Sequence, residues 1–230
     1  MKKKRCIAII PARANSKRIK NKNIKKFFSK PIIYYPIQAA KKSKCFDKIF
    51  VSTDSNKIAN ISKKYGAEVP YIRPKNISDD KTSTSVVISH FIKFLLKKGE
   101  KFDYVCCIYP TAVFANSKNL IYAFKNIKKK NINYVFTVSE FNHPIERSFS
   151  LIGNKISNTM KKKFFLSRTN ELKKKYHDAG QFYFGKTSSF LKKYPIFQKN
   201  CMVIKMKKNF HIDINDISDW KLAELMFINI

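Results

Sequence analysis

The chain has 230 residues, 48 Lys and Arg against 15 Asp and Glu, and a formal net charge of +33 at pH 7. An apolar fraction of 44% excludes a disordered chain, and the length suits one domain with a sizeable core. The charge alone would point to nucleic acid, but it is nearly all lysine, with Arg only at positions 5, 13, 18, 73, 147 and 168. It accompanies abundant Ile, Asn, Phe and Tyr, whose codons are A/T-rich, and the arginine forks interleaved with aromatics that nucleic-acid recognition uses are missing.

The opening "MKKKRC" leads into an apolar run too short for a secretion signal or a membrane span, which gives the expectation of a soluble, cytoplasmic protein with no membrane partner. Short β-rich runs then alternate with stretches of helical period, the pattern of a parallel sheet flanked by helices. Strands are expected at 6–10, 48–52, 69–72, 104–108 and 134–138, and helices at 31–43, 55–65, 83–98 and 117–129. Gly66 and Gly99 stand where helix C-terminal caps belong. His90 shares one stripe with Val86, Val87, Phe91, Phe94 and Leu95, and reads as a packed or hydrogen-bonded helix residue. Residues 141–176 break the rhythm and are expected to project as a dimerisation arm. Strands return at 179–184 and 201–204, and a helix closes the pattern at 217–227. The expectation is one α/β domain over residues 1–230 with a doubly wound, mostly parallel sheet. Five cysteines without zinc-like spacing read as buried, reduced thiols.

Ligands of doubly wound sheets sit at the carboxyl ends of strands. Polar clusters recur there: "PARANSKRIKNKN" after the first strand, "TDSN" after the second, "RPKNISDDKTST" after the third and "YPTA" after the fourth. The first supplies Arg13, Ser16, Lys17, Arg18 and Lys22, with backbone amides around Asn15 and Ser16. Guanidinium and ammonium groups that neutralise charge, beside amides and hydroxyls that donate directed hydrogen bonds, are what a polyphosphate requires. The loop lacks the glycines and the Lys-Ser/Thr ending of a Walker motif.

With these motifs in order, the sequence resembles the cytidylyltransferases that activate nonulosonic acids with CTP, the CMP-N-acetylneuraminic acid synthetase family. The resemblance rests on Pro11-Ala12-Arg13, Ser16-Lys17 and Lys22-Asn23, and on "KPIIYYPIQAA" from Lys30. It continues through Asp54, "RPKNISDDKTST" from Arg73, "YPTA" from Tyr109 and "HIDINDISDW" from His211. The stretch "YHDAGQFYFG", residues 176–185, is similar to that of the pseudaminic acid enzymes of the family. Two departures stand out: Ala14-Asn15 replaces the usual Gly-Gly, and Asp213-Ile214-Asn215-Asp216 replaces Asp-Ile-Asp.

The resemblance implies a nucleotide-diphospho-sugar transferase-like fold and transfer of CMP from CTP to the anomeric hydroxyl of a nonulosonic acid, with release of pyrophosphate. Pseudaminic acid is the first expectation, and N-acetylneuraminic or legionaminic acid the alternatives. Arg13, Lys22 and Asp213 are the implied catalytic residues. Arg13, Asn15, Ser16, Lys17 and Lys22 would hold the triphosphate; Arg73, Asp80, Tyr109, Pro110 and Thr111 would meet the cytidine and ribose. Asp178, Gln181 and Tyr183 are assigned to the sugar, and Mg²⁺ to Asp213 and Asn215, with Asp216 as a possible substitute. A homodimer is expected. The competing readings are a basic nucleic-acid-binding module and a silent homologue that binds CTP without turnover.

Overall fold

The inner strands of the central sheet come from runs whose residues are almost all buried, as a sheet covered on both faces demands. The computed structural model describes residues 4–158, 161–207 and 210–229; residues 1–3 of the basic opening and 159–160 of the expected arm lie outside them. In chain order the elements are β1 Cys6–Pro11, β2 Lys26–Phe27, β3 Lys30–Pro31, α1 Tyr34–Ser43, β4 Lys48–Ser52, α2 Asn56–Lys64, α3 Thr84–Lys97, β5 Tyr104–Ile108 and α4 Ser117–Ile127. Then follow β6 Tyr134–Glu140, β7 Ser150–Ile152, β8 Lys155–Asn158, α5 Lys162–Leu166, β9 Tyr176–Lys186, α6 Thr187–Leu191, β10 Cys201–Lys205 and α7 Ile217–Ile228.

The central sheet has the order β10-β6-β9-β5-β1-β4. β1 pairs in parallel with β4 and β5, and β10 with β6, while β9 runs antiparallel to both its neighbours, so the sheet is mixed and mostly parallel. Alternate strand residues feed two cores. One joins Ala8, Ile10, Cys106 and Phe184 to Ile37 of α1 and Leu120 and Ala123 of α4. The other joins Ile7, Ile9, Val105 and Tyr183 to Ile88, Phe91 and Leu95 of α3 and Phe190 of α6. Ser55 caps α2 by accepting from the Ile58 amide, and Asn116 caps α4 by accepting from Asn119. α2 and α3 end just before Gly66 and Gly99, both at positive φ. His90 is hydrogen-bonded, its Nδ1 lying 3.0 Å from the Tyr71 hydroxyl.

No strand forms at 69–72. Only the isolated bridges Phe50–Glu68 and Thr53–Ile72 touch the sheet there, because Pro70 has no amide hydrogen and interrupts a ladder. The Arg73 amide nevertheless donates to Thr53 O at 2.7 Å, which keeps the following loop at the same sheet edge. The helix expected from residue 31 starts later, at Tyr34, after the β2–β3 hairpin.

A third cluster contains Ile19, Phe27, Ile32, Val113, Phe114, Ile214, Trp220 and Ala223. It packs the loop after β1 and the β2–β3 hairpin against α7 and the segment before it, and so joins the two ends of the chain. Within 141–176 the chain forms the β7–β8 hairpin and α5, and leaves Phe149, Leu151, Ile152, Ile156, Phe165 and Leu166 exposed. No helix among the described residues is long and apolar enough to cross a membrane.

Candidate active site

At the carboxyl ends of β1 and β5 a cavity of about 290 Å³ is lined by Arg13, Ser16, Lys17, Arg18, Lys22, Arg73, Asp80, Tyr109, Pro110, Thr111, Asp213 and Asn215, among others. Cations from the first loop and the carboxylate near the carboxyl terminus therefore open onto one space.

The first loop is shaped by its own hydrogen bonds. Asp54 Oδ1 accepts from the Ala14 amide at 2.8 Å, and Asn23 Nδ2 donates to Arg13 O at 2.9 Å. Neither Ala14 nor Asn15 is among the residues of positive φ, so the turn is made without the left-handed angles that favour glycine. Asn15 is exposed and does not line the cavity. The Ser16 amide is engaged on Ala14 O at 3.1 Å, so it is not the free donor expected from the sequence. Asn23, passed over in the sequence except as part of Lys22-Asn23, lines the cavity; it is 4% exposed and its Oδ1 has no protein partner.

Lys22 Nζ donates to Ile214 O at 2.7 Å, tying the loop to the segment that carries Asp213. Burial lowers the pKa of Lys22, and the nearby Asp213 charge opposes that shift. Arg18 donates to Asn215 Oδ1 at 2.8 Å, while Asn215 Nδ2 donates to Asp213 Oδ2 at 2.9 Å. Asp216 takes no part in the cavity lining: it caps α7, accepting from the Asp219 amide at 3.0 Å. Its sequence neighbour Asn215 faces the cavity instead.

Asp80, expected to meet the cytidine and ribose, lines the cavity with Arg73 and Tyr109 and turns its carboxylate to the cations of the first loop. Its carboxylate pairs with the Arg13 guanidinium and, at 2.6 Å, with Lys17 Nζ. Hydrogen bonds from Lys17 and Arg13 hold its carboxyl below the usual range. Asp79 fixes this loop by accepting from the amides of Lys81 and Thr82 at 3.1 and 2.7 Å. Arg73 is buried, with Nε donating to Ser78 Oγ at 2.9 Å and Nη1 to Ser52 O at 3.4 Å.

Beyond Tyr109 lies a second cavity of about 350 Å³, lined in part by Thr84, Tyr109, Asp178, Tyr183, Lys193 and Phe197. Thr84 and Tyr109 also line the first cavity, so the two spaces share a wall. Burial pushes the Tyr109 phenol up to about 12 and the Tyr183 phenol higher still, so both remain protonated donors at neutral pH. Gln181 does not join this lining. It is 1% exposed, with Nε2 donating to Ala179 O at 3.0 Å and Oε1 without a protein partner. A wider hollow of about 740 Å³, bordered by Phe136, Val138, Tyr176, His177 and Asp178, adjoins the β6–β9 pair.

A sheet with this strand order, a cation-rich first loop and a carboxylate brought back from the segment before the last helix define a nucleotidyltransferase. The cytidylyltransferase family profile matches residues 7–226, and the chain belongs to that family. Over 221 residues, 96% of this chain and 95% of the relative, it is 38% identical to the pseudaminic acid cytidylyltransferase of Campylobacter jejuni. It is 40% identical over 218 residues to a Helicobacter pylori protein named pseudaminic acid cytidylyltransferase and UDP-2,4-diacetamido-2,4,6-trideoxy-beta-L-altropyranose hydrolase; the match covers 94% of this chain and 41% of that one. Against the N-acylneuraminate cytidylyltransferase of Escherichia coli the identity is 29% over 218 residues, with coverage of 94% and 51%. Among solved structures, CMP:2-keto-3-deoxy-manno-octonic acid synthetase complexed with CTP superposes with a TM-score of 0.70 at 10% identity, covering 98% of this chain and 99% of that one. At this identity the likeness concerns the fold alone.

Proposed function

We propose that this enzyme transfers CMP from CTP to the anomeric hydroxyl of pseudaminic acid and releases pyrophosphate. The observation that carries the reading is the single cavity uniting Arg13, Lys17 and Lys22 with Asp213. Relatives named for pseudaminic acid and aligned over nearly the whole chain support that acid over the other nonulosonic acids.

Arg13, Lys17 and Lys22 neutralise the triphosphate. Arg13 and Lys17 exchange the Asp80 carboxylate for phosphate oxygens, and Lys22, already half-buried, places a positive charge where charge develops on the leaving pyrophosphate. Tyr109, Pro110, Thr111 and Arg73 close the cavity around the nucleoside. The acceptor sugar occupies the second cavity, which meets the first at Thr84 and Tyr109, so its hydroxyl faces the α-phosphorus across that shared wall. Holding both reactants at that wall supplies the orientation that in-line displacement requires.

The donor set fits Mg²⁺. Asp213 is one carboxylate facing a phosphate site, and this ion is typically bound through one or two carboxylates, substrate phosphates and water. Asn215 serves as an orienting neighbour, because its Oδ1 is engaged by Arg18 and its amide nitrogen meets Asp213. When bound, the ion supplies charge neutralisation and lowers the pKa of the attacking hydroxyl.

The exposed apolar side chains between residues 149 and 166 support a homodimer formed through that arm. The use of CTP and the five free cysteines support a cytoplasmic setting.

Purified protein incubated with CTP, Mg²⁺ and separate nonulosonic acids tests the proposal. Pyrophosphate and a CMP-sugar should form fastest with pseudaminic acid. Faster turnover of N-acetylneuraminic or legionaminic acid reassigns the acceptor, and CTP binding without pyrophosphate release marks a silent homologue.

A further inference from the structure

Asp178 stands at the edge of the second cavity, yet both of its carboxylate oxygens turn back onto its own strand. Oδ1 accepts from the Gly180 amide at 3.0 Å, and Oδ2 accepts from the Tyr183 hydroxyl. The register of β9 against β6 shifts here: Phe136 faces Tyr183 and Val138 faces Asp178, so the four residues 179–182 bulge opposite Thr137. Within that bulge Gly180 has φ +60, a left-handed angle that disfavours a side chain.

The bulge meets Asp213. A Cβ placed on Gly180 would lie 3.6 Å from Asp213 Cβ, 3.7 Å from Cγ and 3.9 Å from Oδ1. On the other side, Asn215 Nδ2 donates to Asp213 Oδ2 at 2.9 Å. The carboxylate of Asp213 thus lies beside the Gly180 turn, with room for no more than a methyl group between them, and accepts from the Asn215 amide. Tyr183, which donates to Asp178, is itself packed with its ring edge-on to that of Tyr109 at 5.6 Å.

We propose that Asp178 is a positioning residue for Asp213. By fixing the left-handed turn at Gly180, it sets the surface against which the cation-holding carboxylate rests. Asp178 thereby contributes to holding the divalent ion. This rests on the reading of Asp213 as the ligand of that ion. Groups hydrogen-bonded to a metal ligand typically change metal affinity about 10–100-fold, and Asp178, acting through Gly180, belongs at the lower end of that range.

The test separates ion binding from turnover. Full-length protein is titrated calorimetrically with CTP in EDTA and with the Mn²⁺ complex of CTP, no acceptor being present; the ratio of the two affinities measures what the ion adds. Asp178→Ala should lower that ratio about tenfold and leave the affinity for CTP in EDTA within about twofold of wild type. Gly180→Ala, which alters the turn and keeps Asp178, should lower the ratio as well and carries the test if Asp178→Ala does not fold. A wild-type ratio in either folded variant overturns the proposal. Should Asp178→Ala keep the wild-type ratio and raise KM for the acid, Asp178 is a sugar contact. A wild-type ratio of one would remove Asp213 as ligand, and the premise with it, whereas failure of the functional reading would appear separately as absence of pyrophosphate release with every acid.

Discussion

Lys22 and Lys17 carry the same charge into the same cavity, and their surroundings predict different consequences when that charge is removed. Lys22 is half-buried and anchored on Ile214 O, whereas the Lys17 side chain is 80% exposed. Two unit charges about 4 Å apart interact by about 4 kcal/mol at an effective dielectric constant near 20, the regime for Lys22, and by about 1 kcal/mol in bulk water, the regime Lys17 approaches. Lys22→Met should therefore lower kcat/KM for CTP by about 10²–10³, in line with losses seen on removing one preorganised donor, and Lys17→Met by less than about tenfold. Stability should not follow activity. The native pKa of Lys22 lies below its unfolded value, so the ionised group disfavours the fold at neutral pH, a cost that fades as pH climbs through the native pKa towards the unfolded one. Lys22→Met relieves that cost but leaves Ile214 O without its donor, so it should melt close to wild type. Pyrophosphate release with CTP varied, together with thermal unfolding of each variant, measures both effects. Equal losses for the two lysines, or near-normal turnover of Lys22→Met, would refute the assignment.

Asp80→Asn should free Arg13 and Lys17 for phosphate, lowering the Kd for CTP and strengthening inhibition by pyrophosphate; weaker CTP binding would instead return Asp80 to the ribose. Asn215→Asp places a second carboxylate beside Asp213 and removes the amide donor now on it, so a divalent ion relieves the repulsion. The Mg²⁺ concentration for half-maximal rate should fall, and an unchanged titration would separate this position from the ion. Gly185→Ala tests the core instead. The added Cβ would stand 2.7 Å from two atoms of the Tyr134 ring and 2.8 Å from Phe190, an overpacking expected to destabilise by about 1–3 kcal/mol in denaturant unfolding.

The architecture was legible in the chain because β1, β4, β5 and β6 are continuous apolar runs separated by helices with clear stripes, and local pattern suffices for such elements. Pro70 was the overlooked signal against a strand at 69–72. The antiparallel insertion of β9 between β5 and β6 left no mark in its own residues, since a strand buried on both faces reads alike in either direction. The hydrogen-bond partners of Asp80 and Asp178 were hidden for a related reason. A carboxylate announces that it needs partners, but whether it finds Arg13, a ligand or its own strand depends on distance in space.

The sequence by itself determined the chemistry on offer: cations after the first strand, an acidic segment near the end, and aromatic and amide groups between them. Only the tertiary structure decided that Lys22 reaches Ile214 O, that Asp216 caps α7 while Asp213 faces the cations, and that Gln181 is enclosed away from the cavities. The physical reason is the apolar cluster of Ile19, Phe27, Ile214 and Trp220. Burying those side chains draws together two segments nearly two hundred residues apart, and the polar residues between them are carried into one cavity as a consequence.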